Sequence, residues 1–323
     1  MQAVILAAGK STRTYPLTFT KPKPLLKVAN KTLLEHNLDN LNGIVKEAII
    51  VVGYKKHLIK KYIGNKYKHL KITFVTQKKQ LGTGNAVSIA EHYIKDRFIL
   101  MAGDDIYSKN DITNSIKYKY SILTAKSKNP RNFGVIIEKN RILVDFIEKP
   151  KKFISDVINT SLYVLDKKIF DYIKKIKKSK RNEFELPDAI NLLSKEVKIH
   201  CVKSKQWLPI AYPNDLLKAD KKLRGNKNIF GMNSRISGKV KNSSVGNNCI
   251  IKGNVQNSII MDKTVVDENS VVEKSILGEK VYFSGKMFNS VIADNVKAKN
   301  IIVRNSRIFP GRMLNDQIIE HDV

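Results

Sequence analysis

The sequence of 323 residues contains few of the features that mark secreted or membrane proteins. Its two cysteines, Cys201 and Cys249, are far apart and have few histidines near them, so neither a disulfide framework nor a zinc site is predicted. No apolar run approaches the ~18 residues that a membrane span requires. The apolar start Ala3–Ala8 is too short for a secretory signal and has no basic flank. We therefore expect a cytoplasmic protein that does not enter a membrane.

Acidic residues are also scarce, because 29 Asp and Glu stand against 59 Lys and Arg, which gives a formal net charge of +30. Lysine clusters at 55–61 and 174–180 resemble a nucleic-acid footprint. However, basic residues are spread along most of the chain and no aromatic recognition motif accompanies them, which favours solvated surfaces. Nucleic-acid binding is therefore not expected, whereas small polyanionic substrates would be attracted.

A glycine is missing from what looks like a phosphate-binding P-loop. The letters GKST begin at Gly9, but the glycine required five positions earlier is replaced by Val4. The short apolar run Val4–Ala8 instead predicts a buried strand. Three basic residues follow the turn after this strand, Arg13, Lys21 and Lys23. Phosphate therefore remains the expected ligand.

The first two thirds of the sequence alternate between strand and helix patterns. The predicted strands are Val4–Ala8, Ala48–Val52, Ile72–Val75 and Phe98–Met101, and the predicted helices are Thr32–Leu41, Lys55–Ile63 and Ala86–Ile94. This alternation predicts an α/β fold with a mostly parallel mixed sheet. Ligands of such sheets bind beyond the carboxyl ends of the strands. Gly9–Lys23, Gln77–Gly84 and Gly103–Asp105 are expected there.

From about Arg224 the pattern changes to a small residue followed by two aliphatic residues. It recurs as CII, SII, TVV, SVV, SIL and SVI. Near-six spacing predicts a parallel β-helix of hexapeptide repeats. An antiparallel sandwich is the alternative, but the segment lacks Asn-Gly and Asp-Gly hairpin turns. The predicted domains are residues 1–223 and 229–323, joined by a linker at 224–228.

Eight short motifs match, in order, those of one enzyme family. They read LAAGKSTRTYPLT, KPKPLL, QKKQLGTGNA, GDD, FGV, IEKP, NTS and ELPD. With them, residues 1 to about 220 resemble the sugar-1-phosphate nucleotidylyltransferases, in particular archaeal-type glucose-1-phosphate thymidylyltransferases and UDP-N-acetylglucosamine pyrophosphorylases. The resemblance implies a Rossmann-like nucleotidyltransferase domain. The tail resembles the left-handed β-helix that many members carry, and it is expected to drive homo-oligomer formation.

The resemblance also implies a reaction and the residues that catalyse it. A sugar-1-phosphate, either glucose-1-phosphate or N-acetylglucosamine-1-phosphate, attacks the α-phosphorus of a nucleoside triphosphate, and pyrophosphate leaves. Arg13 would bind the pyrophosphate, Lys23 the α-phosphate, and Asp104 a Mg²⁺ ion that bridges the phosphates. Taken singly, these residues could be solvated loop cations and a helix cap. Their joint position at strand ends favours an active site.

Two binding regions follow from the same motifs. The expected nucleotide-binding residues are Leu6, Ala7, Ala8, Gly9, Gln77, Gly82 and Thr83. Because the glutamine would pair with a pyrimidine edge, UTP or dTTP is expected, although a glycine-rich helix entry is the simpler structural explanation. The expected sugar-phosphate-binding residues are Gly134, Glu148, Lys149, Asn159 and Thr160.

The sequence departs from the family pattern at several of these motifs. Ser11 and Ser161 stand where the family has glycine, and Thr14 where it has Leu or Met. Pro209 occupies the position of a second metal-binding aspartate, after the matching Trp207. Loss of that carboxylate supports an alternative function, a non-catalytic relative that senses a ligand and regulates a partner.

Some resembling proteins use the β-helix to acetylate an amino sugar, and that reaction usually needs a general base. The only histidine between 224 and 323 is His321, so no acyltransferase activity is expected from this segment.

Overall fold

The computed structural model describes residues 1–323 and divides into two compact units. The sheet unit consists of Met1–Gly9 and Leu34–Pro209, and the β-helix unit consists of Lys10–Leu33 and Ile210–Val323. No helix is both long and apolar enough to span a membrane.

The sheet unit contains ten paired strands and several short helices. Its strands are Gln2–Ala7, Glu47–Val52, Lys66–Tyr67, Leu70–Thr76, Phe98–Ala102, Ser121–Lys126, Gly134–Lys139, Ile142–Glu148, Val157–Leu165 and His200–Lys203. Its α-helices are Leu33–Leu41 (whose first residue is assigned to the other unit), Lys56–Ile63, Thr83–Ser88, Lys109–Ser115, Lys168–Ile173 and Leu186–Ser194.

Four parallel strands form one half of this sheet. Strand Gln2–Ala7 pairs in parallel with Glu47–Val52 on one side and with Phe98–Ala102 on the other, and Leu70–Thr76 pairs in parallel with Glu47–Val52. Strands Gln2–Ala7, Glu47–Val52 and Phe98–Ala102 are almost entirely apolar and buried, as continuous aliphatic runs indicate. Strand Leu70–Thr76 also contains Lys71, Thr73 and Thr76 and is only partly buried. In the other half, strand Val157–Leu165 and its neighbours pair mostly antiparallel. The prediction of a mostly parallel mixed sheet is confirmed.

All four predicted strands are present, and two of the three predicted helices end where expected. The helix predicted over Ala86–Ile94 is wrong in extent: it begins at Thr83 and ends at Ser88, and a separate 3₁₀ turn covers Glu91–Tyr93. Apolar spacing alone did not reveal this break.

The β-helix unit contains a helix, a small hairpin and a stack of short strands. The hairpin pairs Lys27–Val28 with Lys31–Thr32, and the helix is Pro213–Arg224. The stacked strands are Ile229–Phe230, Arg235–Ile236, Val240–Lys241, Ser244–Val245, Ile250–Ile251, Asn254–Gln256, Ile259–Ile260, Val265–Val266, Val271–Glu273, Ile276–Leu277, Tyr282–Phe288, Val291–Ile292, Lys297–Arg304, Arg307–Ile308, Met313–Asn315 and Ile318–Ile319.

Every strand pair in this stack is parallel, which makes the segment a left-handed parallel β-helix of the hexapeptide type and rules out the antiparallel sandwich. One face shows the register clearly, because Val245, Ile260, Leu277, Ile292 and Ile308 occupy the same position in successive coils. These side chains are buried in the centre of the stack. One coil therefore takes 15 to 17 residues.

The small residue of the repeat is explained by a column of buried serines, Ser243, Ser258, Ser275, Ser290 and Ser306. In each case the backbone N–H of one serine donates to the Oγ of the serine one coil earlier, at 3.0 to 3.1 Å. Each Oγ in turn donates to the carbonyl two residues before it. A small hydroxyl thus satisfies polar backbone groups that would otherwise be buried without partners.

The N-terminal segment Lys10–Leu33 packs with the β-helix, which the sequence did not predict. The backbone N–H of Ala29 donates to Asp220 on helix Pro213–Arg224, at 2.8 Å, and Asn30 Nδ2 donates to the carbonyl of Val245, at 2.7 Å. By packing, this helix also belongs to the β-helix unit. It ends at Arg224, and the first stacked strand begins at Ile229.

Candidate active site

The loops predicted to bind ligands follow the carboxyl ends of the parallel strands. Because these strands are parallel, Gly9, Gln77 and the Gly103–Asp105 turn all lie at the same edge of the sheet. The turn after the first strand is held closely: the N–H of Tyr54 donates to the carbonyl of Ala8 at 3.0 Å, and Gln80 Nε2 donates to the same carbonyl at 2.6 Å. The small residues at this turn therefore have a packing role as well as the predicted nucleotide role.

A cavity of about 180 Å³ opens beside this edge and brings together five of the predicted residues. These are Leu6, Thr83, Glu148, Lys149 and Asn159. Ser161, Tyr163 and Arg181 also line it, as do residues of the segment 183–187. Carboxylate, amide and cationic groups thus converge on one small space, which is the chemistry needed to bind hydroxyls and a phosphate.

Glu148 is one of three carboxylates that line this cavity, together with Glu183 and Glu185. Gly134 makes room for it, since a Cβ at that position would lie 2.8 Å from Glu148 Oε2 and 2.4 Å from the ring of Phe146. Burial raises the pKa of Glu148 above its ordinary value of 4.5, and Lys149 and Arg181 oppose that rise. Gly134 thus does not line the cavity itself, but it allows Glu148 to do so.

Arg181 was not predicted as a site residue. Its Nη2 lies 2.7 Å from Glu185 Oε1 and 3.4 Å from Glu148 Oε1. Burial lowers the pKa of the Arg181 guanidinium, but the bonds to Glu185 and Glu148 more than offset this, so the pKa is raised. The only sequence signal was its position four residues before Glu185 in the ELPD motif.

Asn159 is fixed by two neighbours on its own strand. Its Oδ1 accepts the N–H of Ser161 at 2.8 Å, and its Nδ2 donates to the hydroxyl of Tyr163 at 2.7 Å. Ser161 has φ +62°, which lies in the left-handed region that favours glycine. Thr160 does not line the cavity, because its hydroxyl is buried and donates to the carbonyl of Leu123 at 2.8 Å.

The glycines of the predicted base pocket are required by packing. Gly82 has φ +101°, and a Cβ there would lie 2.6 Å from the carbonyl oxygen of Phe184. The N–H of Gly84 donates to that same oxygen at 2.8 Å. Gln77 is buried, and its Nε2 donates to Asn85 Oδ1 at 3.0 Å. The glycine-rich helix entry is therefore present, and it holds the segment around Phe184 against the first turn of the helix.

A buried hydrogen-bond network supports the turn that carries Asp104. Asn37 Nδ2 donates to the carbonyl of Asp105 at 2.7 Å, and its Oδ1 accepts the N–H of Tyr107 at 3.3 Å. The Tyr107 hydroxyl donates to the carbonyl of Thr160 at 2.6 Å. The turn is thus tied to the strand that carries Asn159. Tyr107 and Asn37 carried no sequence signal.

The residues around Asp104 determine how a divalent cation would be held. No group of three or more His, Cys, Asp or Glu side chains is arranged to hold a metal ion. Asp105 Oδ2 accepts the indole N–H of Trp207 at 3.2 Å, and Asp215 accepts the N–H groups of Ala211 and Tyr212 at its helix start. A Mg²⁺ ion would take most of its ligands from phosphates and water and would need only one carboxylate of the protein.

Arg13 and Lys23 lie in the β-helix unit, on the segment Lys10–Leu33. Arg13 is exposed and forms part of a 3₁₀ turn, whereas Lys23 is buried and begins the 3₁₀ turn Lys23–Leu25. The departures Ser11 and Thr14 are linked: Ser11 has φ +52°, and its carbonyl accepts the hydroxyls of Thr14 at 2.7 Å and of Thr18 at 2.9 Å. The threonines thus stabilise a conformation that glycine would adopt more easily.

Comparison with known proteins agrees with this architecture. Residues 2–226 match the family of nucleotidyl transferases, and residues 226–302 match the GlmU-like C-terminal hexapeptide family. The chain therefore belongs to the nucleotidyl transferase family and carries a C-terminal hexapeptide β-helix.

Its relatives include the bifunctional protein GlmU of Methanocaldococcus jannaschii, 39% identical over 79% of this chain and 60% of the relative. The UTP–glucose-1-phosphate uridylyltransferase AglF of Haloferax volcanii is 32% identical over 69% of this chain and 97% of the relative. A crystal structure of a candidate glucose-1-phosphate thymidylyltransferase from Bacillus anthracis superposes with a TM-score of 0.62 at 27% identity, covering 70% of this chain and 97% of the other. The chain spans about 60% of the length of the GlmU relatives it matches.

Proposed function

We propose that this protein joins a pyrimidine nucleoside triphosphate, UTP or dTTP, to a sugar-1-phosphate. A phosphate oxygen of the sugar-1-phosphate forms a bond to the α-phosphorus, the bond between that phosphorus and the α–β bridging oxygen breaks, and pyrophosphate leaves with the electron pair. The products are an NDP-sugar and pyrophosphate. Glucose-1-phosphate and N-acetylglucosamine-1-phosphate are the proposed sugar substrates.

The observation that carries this proposal is the cavity lined by Glu148, Lys149, Asn159 and Thr83. A half-buried carboxylate can accept hydrogen bonds from sugar hydroxyls, and a fixed amide can accept and donate them, in defined directions. Lys149, on the adjoining turn, would neutralise the sugar phosphate. Its backbone has φ +44°, in the left-handed region.

The remaining roles concern the triphosphate. Gln77 would contact the pyrimidine and the Leu6–Gly9 turn would approach the nucleotide through its backbone. Arg13 would bind the leaving pyrophosphate and Lys23 the α-phosphate. Two polyanions repel each other, so positioning and charge neutralisation would provide most of the acceleration. Asp104 would hold Mg²⁺, which, when bound, adds positive charge to the phosphates.

We further place the enzyme in the cytoplasm as a homo-oligomer assembled through the β-helix. Both cysteines are free and buried, as expected without disulfide chemistry. Some relatives are named as bifunctional, but residues 224–323 offer His321 as their only histidine, so an additional acyltransfer activity is not proposed.

Pyrophosphate release tests the proposal when measured across a grid of triphosphates and sugar-1-phosphates with and without Mg²⁺. Release with UTP or dTTP and one of the two sugars is expected, and a reaction with purine triphosphates alone would refute the pyrimidine assignment. Nucleotide binding without any release would favour the regulatory relative, a function that the absent second carboxylate at Pro209 supports.

A further inference from the structure

Three carboxylates on one edge of the β-helix form a column that contacts the N-terminal segment. Asp262, Glu279 and Asp294 each lie two residues after Ile260, Leu277 and Ile292, which are stacked in register in successive coils. We call these three residues the acidic column. The equivalent positions in the flanking coils are Asn247 and Pro310, so the column is acidic only in its three middle coils.

The acidic column is bound by lysines of the segment Lys10–Leu33. Lys21 Nζ lies 2.5 Å from Glu279 Oε1 and 3.0 Å from Asp294 Oδ2, and Lys27 Nζ lies 2.6 Å from Asp262 Oδ2. The Thr20 hydroxyl also donates to Asp294 Oδ2, at 2.5 Å. Lys27 thus contacts the coil of Asp262, and Lys21 contacts the next two coils, those of Glu279 and Asp294.

The contact between Lys21 and Asp294 is buried, since Lys21 is 8% exposed and Asp294 is 5% exposed. The side chains of Glu279 and Asp262 are 35% and 21% exposed, so their contacts are only partly buried. A buried ammonium group needs a carboxylate partner, because transfer from water is otherwise too unfavourable. In a chain with 59 basic and 29 acidic residues, three acidic residues at one repeated position are a specific arrangement rather than a general surface charge.

The column carboxylates are themselves held rigidly. Asp294 Oδ1 accepts the N–H of Glu279 at 2.7 Å, and Asp262 Oδ1 accepts the N–H of Asn247 at 3.0 Å. Gly278 allows the close approach of Asp294, since a Cβ there would lie 2.6 Å from Asp294 Oδ1. In Asp262 and Asp294, one carboxylate oxygen therefore holds the neighbouring coil and the other binds the N-terminal segment.

The backbone between Lys21 and Lys23 is short and conformationally restricted. Lys21 and Lys23 are separated only by Pro22, and Pro24 follows. Proline fixes φ, and the backbone bonds Leu25 N–H to Pro22 and Leu26 N–H to Lys23, both at 2.9 Å, close the following turn. A displacement of Lys21 would therefore displace Lys23.

We infer that the acidic column is a positioning element for the reaction: through Lys21 and Lys27 it holds the segment that carries Arg13 and Lys23. This inference rests on the proposed function for its catalytic consequence, but the contact itself can be measured without any substrate. The β-helix then has a role within its own chain, in addition to any role in assembly.

Two full-length variants test the inference. Lys21→Met removes the ammonium group and leaves the column untouched, and Asp294→Asn removes the charge while keeping an acceptor for the N–H of Glu279. Hydrogen–deuterium exchange of residues 10–33 should accelerate in both variants. The value of kcat should fall by about ten- to a hundredfold, as small displacements of catalytic groups do. The KM for the sugar-1-phosphate should stay at the wild-type value, because the cavity residues belong to the sheet unit.

Two controls separate positioning from general stability. Lys252→Met removes a more exposed lysine of the same unit, 3.5 Å from Asp267, and should change neither exchange nor kcat. Lys21→Arg keeps the charge, so its exchange of residues 10–33 and its kcat should both be close to the wild-type values. If Asp294→Asn fails to fold, Lys21→Met alone tests the inference.

Unchanged exchange and unchanged kcat in Lys21→Met would overturn the inference. Faster exchange with unchanged kcat would overturn its catalytic part. A wild-type protein that shows column-dependent exchange but no pyrophosphate release would refute the proposed function and leave the contact standing.

Discussion

The sheet unit and the β-helix unit both place non-glycine residues in the left-handed region, but in different patterns. In the β-helix these residues recur once per coil in two columns, one of them Asn233, Asn248, Lys263, Lys280 and Asn295, and the other Asn242, Asn257, Lys274, Asn289 and Asn305. In the sheet unit these residues do not recur at a fixed spacing, and only two of them, Lys149 and Ser161, line the cavity; the others are Lys55, Lys68, Asn140, Arg141 and Asn182. Asparagine tolerates the conformation better than most residues. In the β-helix the conformation therefore builds corners at repeated positions, whereas in the sheet unit it occurs in separate, unrelated turns.

The two units also differ in how a single residue is supported. Each β-helix residue is repeated by an equivalent residue in the next coil, so its role is structural and shared by several positions. Each cavity residue is held by its own set of neighbours, such as Gly134 beside Glu148. Substitutions in the two units should therefore change different properties, stability in one and turnover in the other. The exceptions are the segment Lys10–Leu33, which packs with the β-helix and carries two proposed catalytic residues, and the acidic column that contacts it.

The largest expected effect concerns the two catalytic residues proposed on the segment Lys10–Leu33. Arg13→Ala and Lys23→Ala should each lower turnover by about 10² to 10³, the usual effect of removing a preorganised charge stabiliser. Steady-state pyrophosphate release measures this effect, and Lys31→Ala, an exposed lysine of the same segment, should leave turnover at the wild-type value. Near-wild-type turnover in both variants would remove these residues from the proposed mechanism.

A smaller effect is expected inside the β-helix. Ser275→Ala should lower the free energy of unfolding by roughly 1 to 3 kcal/mol, because the buried N–H of Ser290 loses its acceptor. Ser284→Ala, at a partly exposed serine of the same unit, should lower the free energy of unfolding by less than about 0.5 kcal/mol. Urea unfolding of the full chain gives both values. Equal losses for the two serines would contradict the role assigned to the buried column.

The smallest effect concerns Glu148 and has opposite signs for stability and function. Because burial raises its pKa in the folded protein above the ordinary 4.5, the folded state loses stability as pH rises through the interval between the two pKa values. Glu148→Gln should therefore raise the melting temperature at pH 7.5, by less at pH 5, and should raise the KM for the sugar-1-phosphate.

Differential scanning fluorimetry at the two pH values measures the stability change. Glu138→Gln, on the same hairpin but exposed, serves as the control and should show no such difference. A lower melting temperature for Glu148→Gln at pH 7.5 would show that its ion pair with Arg181 outweighs the cost of burial.

Much of this architecture could be predicted from the sequence because its signals are local. Aliphatic runs such as Ala48–Val52 predicted the parallel strands, and the small-aliphatic-aliphatic repeat predicted the β-helix. The family motifs named Glu148, Lys149 and Asn159, which line one cavity. The features that could not be predicted are those that depend on partners distant in the sequence. Nothing near Lys21 in the sequence indicates Asp294, and Tyr107 supports the Asp104 turn through a carbonyl 53 residues away.

The departures from the family pattern were visible but could not be interpreted without the backbone. Ser11 and Ser161 stand where the family has glycine, and both adopt a positive φ that glycine adopts more easily than serine. Their conformations are supported by side chains whose direction the sequence does not show, Thr14 for Ser11 and Asn159 for Ser161. The two serines therefore occupy turns whose backbone conformation would suit glycine.

The acidic column also constrains how this chain can change length during evolution. Duplication or loss of one whole coil preserves the core of a β-helix, so such events are ordinarily tolerated. A coil inserted between Asp262 and Glu279 would move Glu279 and Asp294 one step further from Asp262, while Lys21 and Lys27 would keep their separation. The same insertion after Pro310 would leave every ion pair of the acidic column intact. Length variation among descendants of this chain should therefore concentrate on the C-terminal side of Asp294.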